Sequence, residues 1–253
     1  MKRFGLFAAA LLLSLGVSST VFADYNSNFH LAARFGVGYA QNDDMNNYVS
    51  GFGDSVADQV NAIASANGLV GGFEGNDKKA NVNYGFDIEP RFFFGDFGFS
   101  FSIGYHSTES ESTVESSRWS DTASRKMELS VIPMLATLYY RSKINDDLFF
   151  LLGAGAGYYK AALEYSWEDN ISISSTYGQS NSQEATGSTI GYHARIELDY
   201  MFSSVAIYGG IAGRYVNIDN FEYQGITVKN SDGSNLEAGL TGVFMYFGAS
   251  LML

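Results

Sequence analysis

Residues 190–202 read IGYHARIELDYMF, with Ile190, Tyr192, Ala194, Ile196, Leu198, Tyr200 and Phe202 at every second position and His193, Arg195, Glu197 and Asp199 between them. Successive side chains of a strand point to opposite faces, so one face is wholly apolar and the other carries both signs of charge. In a water-soluble sheet the apolar face turns inward. Here that face is aromatic towards both ends, and the pattern recurs at residues 82–94, where Val82, Tyr84, Phe86, Ile88, Phe92 and Phe94 alternate with Asn83, Gly85, Asp87, Glu89 and Arg91. Two such segments suit a wall with its apolar side to lipid and its charged side to an enclosed interior.

Composition agrees. Aromatic residues make up 15% of the chain, charged residues 17%, there are 28 glycines, two prolines and no cysteine. Lys2 and Arg3 precede an apolar run from Phe4 to Val17 and a Val21-Phe22-Ala23 ending, the pattern of a secretory signal peptide cleaved after Ala23. Without cysteine, neither a lipoprotein anchor nor a disulfide framework is available. After the leader no apolar stretch approaches the length of a spanning helix. Residues 24–253 would then carry 13 basic against 27 acidic side chains, a balance that does not suit nucleic acid.

Eight strands are expected, over about residues 28–40, 81–94, 97–106, 127–141, 148–165, 190–202, 205–216 and 236–253. Ten residues at about 3.3 Å each, tilted near 40°, cross roughly 25 Å of hydrocarbon, so each is long enough. The fourth is apolar on both faces from Ile132 to Leu138, which hides its facing, and the seventh is ambiguous, with Arg214 expected inward. Pro90 sits in the apolar register, which implies a bulge or a missing ladder bond. Connections alternate strictly. Residues 95–96, 142–147 and 203–204 are tight turns, whereas 41–80, 107–126, 166–188 and 217–235 are long, as in a barrel with periplasmic turns, outer loops and both termini in the periplasm.

With "LLGAGAGYY" at 151–159 and the register Met245, Phe247, Ala249, Leu251, Leu253, the whole chain after the leader resembles the small eight-stranded outer-membrane barrels of the OmpA/OmpX-like superfamily. The resemblance implies a closed antiparallel transmembrane β-barrel in a bacterial outer membrane. It also implies contact with outer-membrane lipids and lipopolysaccharide, and assembly by the barrel assembly machinery. Such barrels usually end in an aromatic residue that this machinery reads; this sequence ends in Leu253.

Arg34, Asp87, Glu89, Arg91, Arg195, Glu197 and Asp199 are the candidate lumen charges. They would form either an ion path or a paired plug, and the plug is favoured because an eight-stranded lumen is just wide enough for its own side chains to fill. Gly153, Gly155 and Gly157 lack the spacing of a phosphate loop, and no helix follows; on one strand face they make room inside the barrel. No cofactor is implied. His106 and His193 are expected near the outer rim, where His106, a serine and Glu128 could resemble the trio of lipid A-modifying barrels. Ser107, adjacent to His106, points the other way, which counts against that reading.

The first long loop sets Val56, Val60 and Ile63 at helical spacing, which predicts a short helix from Asp54 to Asn67 stopped by Gly68. That loop holds six acidic and two basic residues, and the four long loops together carry a net charge of −10. None has the spacing of a calcium site. The expected function is structural or surface-interacting, with a ligand held by the acidic loops. A narrow channel or hydrophobic-ligand conduit is the first alternative, and a lipid A-modifying enzyme the second.

Overall fold

The computed structural model describes residues 29–66, 73–116, 121–170, 180–230 and 232–253; the expected signal peptide, residues 1–23, lies outside the described residues. Eight long strands form one closed antiparallel ring: β1 (Phe29–Ala40), β2 (Val82–Phe94), β3 (Phe97–Ser116), β4 (Thr122–Lys143), β5 (Leu148–Asn170), β6 (Ser180–Phe202), β7 (Val205–Tyr215) and β8 (Gly242–Met252). Each pairs with the next in sequence, and β8 closes on β1 with Phe35 opposite Phe247.

Alternation is inverted relative to a soluble protein. Leu138 is 72% exposed, Ile190 69% and Phe97 67%, and they join Tyr84, Phe101, Ile103, Tyr192, Ile196, Ile211 and Phe247 in an apolar belt around the outside. A contiguous exposed belt of this size would not persist in water, and it makes the ring a transmembrane barrel. The belt settles the facing of β4: Ile132, Met134, Ala136 and Leu138 point outward, while Val131, Leu135 and Thr137 are buried. Arg214 is buried inside. Towards β3, Ile88 pairs with Ile103 and Arg91 with Ser100, and the two positions between are skipped with no extra residue on either strand. Pro90 therefore costs ladder bonds and makes no bulge.

Two expected loops are largely strand. β3 continues to Ser116 and β4 starts at Thr122, and β5 continues to Asn170 and β6 starts at Ser180. These four strands form a wall that runs on past the ends of β1, β2, β7 and β8. Above the belt the polarity of the sheet reverts to that of a soluble protein: Glu109, Lys126, Glu128 and Glu164 face outward, while Met127, Leu129, Leu163 and Ala185 are buried within. Loss of the lipid-facing pattern, not loss of the strand, is what the sequence shows there.

The inner face of the wall is covered by the two connections that rise from the shorter strands. Met45 and Val49 from the first, and Val216, Ile218, Phe221, Leu236, Ala238 and Leu240 from the last, pack with Met127, Leu129, Val131, Tyr159, Ala161 and Leu163 in one apolar core. The helix α1 (Asp43–Ala66) is 24 residues long. It starts eleven residues before the expected Asp54, and the expected stop at Gly68 lies outside the described residues. Its buried residues Met45, Val49, Val56 and Val60 recur at spacings of four, seven and four, a helical stripe that Gly51 obscures. Asp43 and Asp44 favour its N-terminus. That first turn is tied to both connections: Asn42 donates to the Ala80 carbonyl (3.0 Å) and accepts from Gly239 (2.9 Å), and Asp44 accepts from Asn230 (2.8 Å) and from the Glu237 amide (3.0 Å). A short strand, Phe73–Lys78, adds to the free edge of β3.

Placing a charge on the belt tests this orientation. Ile196→Arg should cost about 2–4 kcal/mol in phospholipid vesicles, read from the urea midpoint. A change within about 0.5 kcal/mol would mean that the face meets water.

Candidate functional site

Below the apolar head the lumen is filled by charge. Arg34 comes from β1, Asp87, Glu89 and Arg91 from β2, Arg195, Glu197 and Asp199 from β6, and Arg214 from β7; all eight are buried, four arginines against four carboxylates. Their positions follow from alternation, since each lies between lipid-facing residues of its own strand.

Glu89 is the hub. Its Oε2 accepts from Arg34 Nη1 (2.8 Å), Arg91 Nε (3.1 Å) and Arg195 Nη1 (3.2 Å), and its Oε1 accepts from Arg195 Nη2 (2.9 Å), the Tyr139 hydroxyl (2.8 Å) and Ser100. Arg34 Nε also donates to Asp87 Oδ2 at 2.9 Å. Arg91 reaches across to Glu197, Nη2 to Oε2 at 3.1 Å with Nη1 bonded to Oε1, and lies 3.7 Å from Asp199. The guanidinium planes rest on aromatic faces. Arg91 lies 4.7 Å from the Tyr208 ring centroid and 5.3 Å from that of Tyr139, which Arg195 also covers at 5.0 Å. Removing ions of this size from water costs several kcal/mol each, offset here by the fork-like pairing of Arg91 with Glu197 and by the hydrogen bonds that Glu89 and Asp87 accept. The barrel's other end is closed by Phe93, Phe149 and Leu151, with Arg141 4.3 Å from the Phe93 ring.

The histidines are not at the rim. His106 is fully buried in the lumen, its Nε2 3.3 Å from Asp87 Oδ1 and its Nδ1 3.2 Å from Arg214 Nη1. It fits because Gly85 lies opposite, where a Cβ would fall 2.0 Å from His106 Nδ1. His193 is buried with Nε2 3.0 Å from Thr137 Oγ1, beside Gly155, where a Cβ would meet its ring at 2.9 Å. Ser107 takes the opposite face from His106, and Glu128 faces outward, 3.3 Å from Lys126. The structure thus separates the members of the His106–Ser107–Glu128 trio instead of assembling them. Sequence reasoning places His106 too high because it ends β3 there. The usable signal is Gly85, a small residue on the inward face of the neighbouring strand.

Outside, the wall carries a row of glutamates in register across its strands. Glu109 is in register with Glu128, Glu128 with Glu164, and Glu164 with Glu184. Like charges directly opposite destabilise a sheet, and one end of the row is relieved by lysines: Lys126 lies 3.0 Å from Glu109, which also bonds Lys78. Hydrogen bonds from Lys78 and Lys126 hold the Glu109 carboxyl below the ordinary 4.5, and Glu109 in turn raises both lysines. Among the described residues no cluster of histidine, aspartate and glutamate is arranged to hold a metal ion.

No family model matches the sequence, and no curated protein matches it. Among solved structures the chain is similar to Neisserial surface protein A, with a TM-score of 0.41 and 11% identity over 90% of this chain and 98% of that one. It is also similar to Ail, the attachment invasion locus protein of Yersinia pestis, in complex with the heparin analogue sucrose octasulfate, with a TM-score of 0.32 and 13% identity over 88% of this chain and 98% of that one. The architecture itself rests on the register of the ring described above.

The charge network and the glutamate row can each be tested by one substitution. Arg195→Ala should destabilise the barrel by about 3–5 kcal/mol, because it strips a buried partner from Glu89; an unchanged urea midpoint would rule out a coupled network. For Glu109 a depressed pKa means that its stabilisation is complete above the unfolded value and is lost as pH falls through the folded one. The melting difference between wild type and Glu109→Gln should therefore be constant near neutral pH and vanish in acid below the ordinary 4.5.

Proposed function

We propose that this chain is an integral outer-membrane protein of a Gram-negative-type bacterium, with both termini in the periplasm, in which a plugged barrel anchors an acidic head that does the work at the cell surface. The observation that carries the reading is the division of the interior: ion pairs fill the lumen, and above them the wall, α1 and the last connection enclose an apolar core. A head packed in that way presents a fixed surface. Its net negative charge suits basic partners and repels polyanions. Residues 24–253 form the barrel domain, the belt meets lipid and lipopolysaccharide, and the barrel assembly machinery inserts it. The role is structural or surface-interacting rather than catalytic.

The channel alternative is separated by conductance. In planar bilayers the purified protein should give no stable open step, whereas a reproducible step would show a continuous water path through the arginine and carboxylate layer. For the surface role, protein reconstituted in zwitterionic vesicles should bind a fluorescent poly-lysine peptide above the protein-free vesicles, with the binding abolished by high salt. Equal signal from both vesicle types would remove the acidic head as an interaction surface.

A further inference from the structure

The head contains a cavity of about 270 Å³ between α1, the inner face of the wall and the last connection. Its walls include three tyrosines from three different parts of the chain, Tyr48 of α1, Tyr165 of β5 and Tyr223 of the last connection, and its floor includes Met127, Leu163 and Leu236. The rings of Tyr48 and Tyr165 pack edge to face, at 88° with centroids 5.6 Å apart, on one side of the cavity. Trp167 packs on Tyr165 at 5.5 Å and backs that wall. Among the described residues no charged side chain lines the cavity. Arg125, on the same wall, is matched by Asp169, Nη2 to Oδ2 at 2.9 Å.

We infer that this cavity binds the trimethylammonium group of a small organic cation. Three features converge on that chemistry. Three tyrosines border one cavity, and tyrosine rings are the side chains that recognise quaternary ammonium groups. An apolar floor accepts methyl groups, and a methylated cation loses less hydration than an ammonium when it enters such a floor. The segments 41–80, 107–126, 166–188 and 217–235 carry a net charge of −10, which raises the local concentration of any cation and lowers that of any anion. The nearest cation, Arg125, hydrogen-bonds Tyr165 and is matched by Asp169, so a carboxylate or phosphate ligand would have to compete with that carboxylate for it.

The site is built from segments distant in sequence. It therefore exists only in the closed, packed head, and the test uses the full chain refolded in a nonionic detergent. Choline chloride is titrated against the methyl signal of Met127 and against tryptophan fluorescence, with sodium chloride matched for ionic strength. The expected result is saturable binding by choline, with binding of its neutral carbon isostere 3,3-dimethylbutan-1-ol weaker by about tenfold. Tyr223→Leu and Tyr48→Leu should each weaken choline by about tenfold while the melting temperature is retained, and Tyr223→Phe should keep the affinity. Equal binding of choline and the isostere, or no saturable change in Met127, would overturn the assignment. Comparison with glycerophosphocholine at equal ionic strength identifies the source. Tighter choline binding, expected in this acidic setting, points to a free cation, and tighter glycerophosphocholine binding to a phosphocholine headgroup; either supports the trimethylammonium site. Because the assay is run in detergent, its failure leaves the membrane reading intact.

Discussion

One carboxylate, that of Glu89, accepts hydrogen bonds from three arginines at once, and the interior of the barrel is arranged around that fact. An eight-stranded ring leaves too little room for bulk water and too much for backbone alone, so side chains must fill it. Across the middle of the lumen that filling is polar, and with little room for water its polar groups must answer one another. Arg34, Arg91 and Arg195 bring positive charge to Glu89, and Asp87, Glu197 and Asp199 balance those arginines in turn. Tyrosine rings fill the spaces between planar guanidinium groups.

Much of this is legible from period alone. Residues 190–202 and 82–94 declare both faces of their strands, because every lipid-facing position is apolar and the lumen-facing ones, apart from Phe93 and Met201 at the lower end, are polar, charged or glycine. The facing of β4 is not legible, since Val131, Pro133 and Leu135 line an upper lumen as apolar as the belt outside. The same ambiguity hides the height of the wall. Ser110, Ser112 and Thr113 look like loop residues by composition, yet they lie in β3, where small and polar side chains sit on a sheet that has left the membrane. Length alternation still locates the turns at residues 95–96 and 203–204, because a tight turn between antiparallel strands is set locally. His106 escapes the sequence for a related reason: its partners Asp87 and Arg214 come from other strands, Arg214 from far along the chain, and contacts of that kind leave no local pattern.

The head shows how one sheet serves two solvents. Within the belt β5 turns Leu152, Ala154, Ala156 and Tyr158 outward and glycines inward; along the same strand, a few residues higher, Glu164 is outward and Leu163 inward. The reversal fixes where the barrel sits along the membrane normal, since sliding either way would expose belt residues to water or draw the row of glutamates into lipid. The lengths of β3 to β6 are thus a device for holding surface structure at a set height above the bilayer, with α1 and the last connection supplying the apolar cover that the wall cannot provide for itself.

The apolar core of the head takes Met45 and Val49 from near the start of the described chain and Leu236, Ala238 and Leu240 from near its end. Those two segments meet only when β8 has paired with β1. The head therefore cannot be completed on an open sheet, and it serves as a check on closure. A barrel that has not joined its first and last strands would carry an uncovered apolar wall beyond the membrane, open to proteases and to other chains, whereas one that has closed hides it. Assembly state is in this way written into the exposed surface of the molecule.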